Sequence, residues 1–159
     1  MPRRREAKPR KIQPDPVYGE VMITKLINRS MYDGKKSVTE KQIYGAFEII
    51  EKELKRNPAT VFLEALANIQ PTMEVRPRRV GGAAYQVPVP VRGRRQESLG
   101  IRWLIEAARS RPNSEFHSYS EKLATEIIEA SKGEGVAIKK KQEVERVAEA
   151  NRAFAHFRW

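Results

Sequence analysis

Residues 73–95, MEVRPRRVGGAAYQVPVPVRGRR, constrain the fold more than any other part of the chain. Met73 and Val75 on one side, and Tyr85, Val87, Val89 and Val91 on the other, follow the period of two expected of a half-buried strand. Gly81-Gly82 between them supplies the positive φ that a hairpin turn needs. Prolines 77, 88 and 90 each remove a ladder donor, so both strands must be free edges with little pairing beyond each other. A two-stranded ribbon is marginal by itself in water, so this one must lean on other elements at its base and extend from them at its tip.

The other elements read as helices. A first helix over about 18–31, with Val21, Leu26 and Ile27 among its apolar residues, ends before the turn signal Asp33-Gly34. Ser37 with Glu40 forms a capping box, which predicts a helix starting there with Ile43, Ala46, Phe47, Ile50 and Leu54 on one stripe. Asn57-Pro58 stops it and opens the next as cap and first-turn proline, with Phe62, Leu63, Leu66 and Ile69 on one face. Beyond the ribbon, Ile101, Leu104, Ile105 and Ala108 form one stripe and Leu99, Trp103 and Ala107 another, as on a centrally buried helix. Phe116, Tyr119, Leu123, Ile127 and Ala130 mark a fifth helix closed by Gly133. A sixth, over about 136–155, carries a narrow stripe of Ala137, Val144, Val147, Ala148 and Ala155. The fold class is therefore mainly α. A single six-helix bundle-like domain spans 17–159, with a protruding two-stranded β-ribbon at about 73–92 between the third and fourth helices. A basic tail over 1–16, broken by Pro2, Pro9, Pro14 and Pro16, precedes it and is extended and flexible in isolation.

Charge is segregated along this plan. The 159 residues sum to +11. Residues 1–11 hold six Lys/Arg and one Glu, and residues 73–95 hold six Arg and one Glu, so each segment carries +5. Residues 12–72 balance eight basic against eight acidic groups, and residues 96–159 sum to +1. Solubility does not require two cationic appendages on a neutral body; a polyanion does, with counterion release driving the binding. The ribbon, with Arg76, Arg78 and Arg79 on one arm and Arg92, Arg94 and Arg95 where the other meets a helix, reads as a nucleic-acid-binding finger.

Other chemistries find no footing. Cysteine is absent, which removes disulfides, thiolate metal sites and a cysteine nucleophile. The two histidines, His117 and His156, have no partner at metal-ligand spacing, so no metal and no cofactor is expected. Gly34-Lys35-Lys36-Ser37 fails as a phosphate-binding P-loop, because Arg29 stands where the first glycine belongs and the hydroxyl comes one place late. Of the 20 carboxylates, 18 are glutamates spread along helices beside Lys and Arg, a pattern of solvated faces. No enzyme is expected, and no apolar run approaches the roughly 18 residues of a membrane span. Lys139-Lys140-Lys141 opposes the macrodipole at the start of the sixth helix and is a candidate anion contact. Most aromatics sit on apolar stripes; Tyr85, Phe157 and Trp159 are the exceptions, so binding should rest on phosphate contacts and shape with little base readout.

The segments DGKKS (33–37), RRVGGAAYQVPV (78–89), RRQESLGIRWL (94–104) and AEANRAFAHFRW (148–159) carry a resemblance to the bacterial small-subunit ribosomal protein seven family over essentially the whole chain. That resemblance implies a cytoplasmic structural protein of the small ribosomal subunit that binds the 3′ major domain of 16S rRNA and nucleates assembly of the head. It implies a position near the exit (E) site tRNA and the mRNA, and contacts with small-subunit proteins nine and eleven. No membrane and no homo-oligomer is required. Carried onto this sequence, the rRNA-binding candidates are Arg3, Arg4, Arg5, Lys8, Arg10, Lys11, Lys35, Lys36, Arg76, Arg78, Arg79, Arg92, Arg94, Arg95 and Arg102. The candidates near tRNA and mRNA are Val80, Gly81, Gly82, Lys139, Lys140 and Lys141. Without the resemblance, an architectural DNA-bending protein with a basic ribbon arm is the alternative.

Overall fold

Apolar stripes of helical period draw six α-helices onto one core in the computed structural model, which describes residues 10–157. These are α1 (Val21–Ser30), α2 (Lys36–Leu54), α3 (Pro58–Ile69), α4 (Arg94–Ser110), α5 (Tyr119–Ser131) and α6 (Val136–Ala150). Strands β1 (Met73–Val80) and β2 (Ala83–Pro90) lie between α3 and α4, and a 3-10 turn, Arg152–Phe157, follows α6. The basic residues of 1–9 and Trp159 lie outside the described residues.

Local chemistry explains where the helices begin and end. Asn57 Oδ1 accepts the Ala59 N–H at 2.9 Å and Pro58 fills the first helical position, as the sequence predicts for α3. The capping box falls elsewhere than expected. Lys35, not Ser37, precedes the first turn of α2, with no side-chain cap bond. A complete box forms instead at α5, where the Ser118 hydroxyl takes the Glu121 N–H and the Glu121 carboxylate takes the Ser118 N–H. The backbone N–H of His117 adds to the Ser118 hydroxyl in holding the Glu121 carboxyl below its ordinary range. The sixth helix also stops at Ala150, short of residue 155, and Val147 and Ala155 of the expected stripe are exposed while Ala137 and Ala148 are buried.

The core is shared among helices, with α5 packed against α2, α3 and α4. Phe47 of α2 and Phe62 of α3 are fully buried with ring centroids 6.0 Å apart. Truncating such a phenylalanine to alanine costs about 3–5 kcal/mol. Gly45 lets α2 and α5 approach, since a Cβ there would lie 3.2 Å from Ser120 Oγ. Where α4, α5 and α6 meet, the fully buried Glu126 accepts Arg111 Nε at 3.0 Å and Nη2 at 2.6 Å, and its second oxygen accepts the Ala137 N–H at 2.9 Å. Arg111 also bonds Glu129. This carboxylate therefore caps α6 from outside, where Gly135 offers no side chain and the helix dipole favours negative charge.

The ribbon is a two-stranded antiparallel pair running from Met73↔Pro90 to Val80↔Ala83. Gly81 (φ 57°) and Gly82 (φ 89°) make the turn, both in the left-handed region. In a hairpin closed by two residues, bonded and non-bonded pairs alternate starting from a bonded pair beside the turn. Pro77, Pro88 and Pro90 stand opposite Gln86, Val75 and Met73, all on non-bonded positions. The prolines thus take no donor from the ladder, correcting the expectation from sequence; what they remove is the outer edge that a third strand would use.

Candidate nucleic-acid interface

The first step toward a site is taken by one buried carboxylate. Asp15 accepts the N–H groups of Val17 and Tyr18, each at 3.1 Å, and the Tyr44 hydroxyl at 2.8 Å. Burial, joined by that hydrogen bond, pushes the Tyr44 hydroxyl far up, so it remains a donor. Held there, residues 10–14 lie against α1 without secondary structure of their own. On one side Arg10 and Lys11 join Val21, Lys25, Asn28 and Arg29 of α1 and Arg94, Glu97, Ser98 and Ile101 of α4 around a cleft of about 570 Å³. Lys25 pairs with Glu97, and Arg29 Nη1 donates to the Ser98 hydroxyl at 2.8 Å and its carbonyl at 3.2 Å. Among the described residues of that lining, five cations face one carboxylate. On the other side, Arg10 and Lys11 border a second cleft with Thr24, Asn28, Lys36 and Glu40.

The ribbon's root is pinned from three directions. Glu145 of α6 accepts both the backbone N–H and the hydroxyl of Thr72 at 2.8 Å, and Val91 N–H donates to the Thr72 carbonyl at 2.9 Å. Glu74, buried on β1, takes Arg95 Nε from α4 at 2.8 Å on both oxygens and Arg76 Nε at 2.6 Å. Burial by itself would raise the Glu74 carboxyl, but the hydrogen bonds and charges of Arg95 and Arg76 outweigh it and hold the group below its ordinary value. Tyr85 of β2 packs on Phe154 and Phe157 of the 3-10 turn, centroids 5.2 and 5.1 Å away. Tyr85 and Phe157, which the sequence sets apart from the apolar helical stripes, are therefore engaged with each other rather than standing free as base-stacking rings. Beyond these supports Arg76–Arg79 and Gly81–Ala84 are exposed, so the arm does lean at its base and protrude at its tip.

The candidates named from sequence divide accordingly. Arg10, Lys11 and Arg94 meet in the first cleft and Lys36 borders the second. Lys35, Arg78, Arg79, Arg92 and Arg102 are exposed, as are Gly81 and Gly82 at the tip, with Val80 half-buried. Arg76 and Arg95 are exposed too but share Glu74. Arg3, Arg4, Arg5 and Lys8 lie outside the described residues. The three lysines of α6 have different surroundings. Lys139 is exposed, Lys140 pairs with Glu143 at 2.9 Å, and Lys141 donates to the Asn68 carbonyl at 2.8 Å, closing the end of α3. Among the described residues no group of three or more His, Cys, Asp or Glu could hold a metal, and no helix is long and apolar enough to cross a membrane.

The family model for ribosomal protein S7p/S5e matches residues 2–152. The chain belongs to that family. The small ribosomal subunit protein uS7 of Thermotoga neapolitana is 55% identical over 157 residues, 99% of each chain. The protein of the same name from Bradyrhizobium sp. is 55% identical over 159 residues, 100% of each. The segments that carried the family resemblance occupy the α1–α2 turn, the ribbon, the start of α4 and, over residues 148–157, the end of α6 with the 3-10 turn. Lys25, Asn28 and Arg29 are members of the cationic cleft that sequence reasoning missed. Their signal was present in the 3- and 4-residue spacing along α1, which places them near one another on a helix.

Proposed function

We propose that this chain, a structural and non-enzymatic constituent of the small ribosomal subunit by its family, holds the 3′ major domain of 16S rRNA through the cleft between its tail and α4. The observation that carries this reading is the meeting of Arg10, Lys11, Lys25, Arg29 and Arg94 around one cleft, where Glu97, the one carboxylate among the described lining residues, is already paired with Lys25. Uncompensated cations on a neutral helical body attract phosphate by counterion release. Their placement on α1, on α4 and on the anchored segment before α1 favours folded RNA, whose phosphates converge from different strands, over the regular backbone of a duplex. Arg78 and Arg79 extend the same grip along the arm. In this reading the protein works in the cytoplasm and nucleates assembly of the subunit head. The tip at Val80–Gly82 and the exposed Lys139 and Lys140 face the E-site tRNA and the mRNA, and small-subunit proteins nine and eleven are neighbours.

The test is fluorescence anisotropy with a folded transcript of the rRNA 3′ major domain and a DNA duplex of equal length, across a salt series. The transcript should bind more tightly at moderate salt, and log affinity should fall with log salt at a slope of roughly −4 to −9, for about six to ten phosphates neutralised. Equal affinity for both nucleic acids, or a nearly flat salt dependence, contradicts the reading.

A further inference from the structure

We infer that Tyr32 is a stacking platform for one unpaired base of the bound RNA, with Lys35 and Lys36 taking the phosphates beside it; this rests on the RNA-binding reading above. Tyr32 is 63% exposed, whereas Tyr85 and Phe157 are occupied with each other. The ring is nonetheless held in place. The Arg109 guanidinium lies over one ring face, 4.0 Å from the centroid, and its Nη2 donates to the Ser30 carbonyl at 2.8 Å. A cation fixed on one face leaves the other face to solvent, and a flat ring already immobilised loses little entropy when a base covers it.

The backbone sets the phosphate contacts beside that ring. The Tyr32 carbonyl accepts the Lys35 N–H at 2.9 Å, and Asp33 (φ 51°) and Gly34 (φ 73°) between them are both left-handed, which makes a tight turn of mirror-image type. Lys35 and Lys36 therefore follow the ring at a fixed offset, and residues 32–38 are exposed throughout. Asp33, the turn's one carboxylate, is outnumbered by Lys35, Lys36 and Arg109; Glu40 reaches Lys36 only at 3.5 Å. A nucleotide presents a π-face and a phosphate a short distance apart, which this turn matches with a ring and two ammonium groups. A paired base offers no open face, so the partner is a loop or bulge nucleotide.

The experiment uses the full chain, its Tyr32→Ala and Tyr32→Phe variants, the folded transcript above, and a fully paired RNA duplex. Tyr32→Ala should weaken transcript binding by about 5- to 150-fold with the salt slope unchanged, because stacking is lost and no cation is removed. Tyr32→Phe should stay within about twofold of the parent, since the π-face is kept. Duplex binding should not respond to either change. Thermal melting should be alike for the parent and Tyr32→Phe, and Tyr32→Ala should stay within about 4 °C of them, since only an exposed cation–π contact is lost and Arg109 keeps its bond to Ser30. A Tyr32→Ala chain that binds the transcript as tightly as a parent with a full salt slope overturns the stacking assignment alone. Equal weakening on transcript and duplex overturns it too. A parent with flat salt dependence and no preference for the transcript overturns the RNA-binding reading beneath it.

Discussion

Replacing Glu74 with glutamine should weaken the protein and strengthen its non-specific hold on phosphate at the same time. The side chain is 8% exposed, while those of Arg76 and Arg95 are 49% and 53% exposed. Breaking a fully buried pair costs about 3–5 kcal/mol, but here both guanidiniums can turn to water, so about 1–2 kcal/mol is expected. For a chain of this size that lowers the melting temperature by about 2–8 °C. Glutamine also leaves one more net positive charge at the ribbon root, and the salt slope of transcript binding should steepen by about 0.7–0.9. The pH dependence has a definite sign. A carboxyl held below its ordinary value contributes stability that is present above the unfolded value of about 4.3 and is lost as pH falls through the lower folded value. The gap between parent and variant should therefore be constant from pH 5 to 8 and close in stronger acid. Melting followed by circular dichroism and anisotropy over a salt series measure both effects. Unchanged melting together with an unchanged slope would refute the claim that Glu74 restrains Arg76 and Arg95.

Glu126→Ala should lower the melting temperature by about 6–12 °C, because Arg111 is left buried with Glu129 alone and α6 loses its cap, a loss of about 3 kcal/mol; the double change Glu126→Leu with Arg111→Met should recover only part of it in the same melt, because the stranded charge is gone but the cap is not restored. Gly82→Val forces a β-branched residue to φ 89° and should cost the turn about 1–2 kcal/mol, seen as faster amide exchange in β1 and β2 with α2–α5 protected as before. Asp15→Ala should weaken transcript binding several-fold, since residues 10–14 lose the anchor that holds Arg10 and Lys11 beside α1; binding as tight as the parent's would mean that this anchor does not position them.

Much of the architecture was legible because it rests on short-range rules. Asn57-Pro58 and the ribbon with its Gly81-Gly82 turn are decided by φ preferences and missing donors within a few residues. The start of α2 and the end of α6 were misplaced for different reasons, one local and one distant. The tight turn at Tyr32–Lys35 starts α2 ahead of Ser37, and α6 gives way to a 3-10 turn whose Phe154 and Phe157 are drawn onto Tyr85, about 70 residues earlier. The cleft was half legible. Arg10, Lys11 and Arg94 stood out in the two cationic segments, but Lys25 and Arg29 were hidden within a stretch of 61 residues whose charges sum to zero. Net charge over a segment averages both faces of a helix, whereas a phosphate meets only one. Partnering was equally invisible: nothing in Lys139-Lys140-Lys141 tells that Lys141 closes α3.

Co-sedimentation with reconstituted small subunits, using a chain in which Arg10, Lys11, Arg29, Arg78, Arg79 and Arg94 are replaced by glutamine, tests the role of the cationic cleft and arm most directly. All six lie on the exposed tail, arm or cleft rather than in the hydrophobic core, so the helical fold should persist by circular dichroism. The account predicts that this folded chain fails to enter the particle at salt concentrations where the parent is incorporated. Incorporation at the parent's level would contradict it.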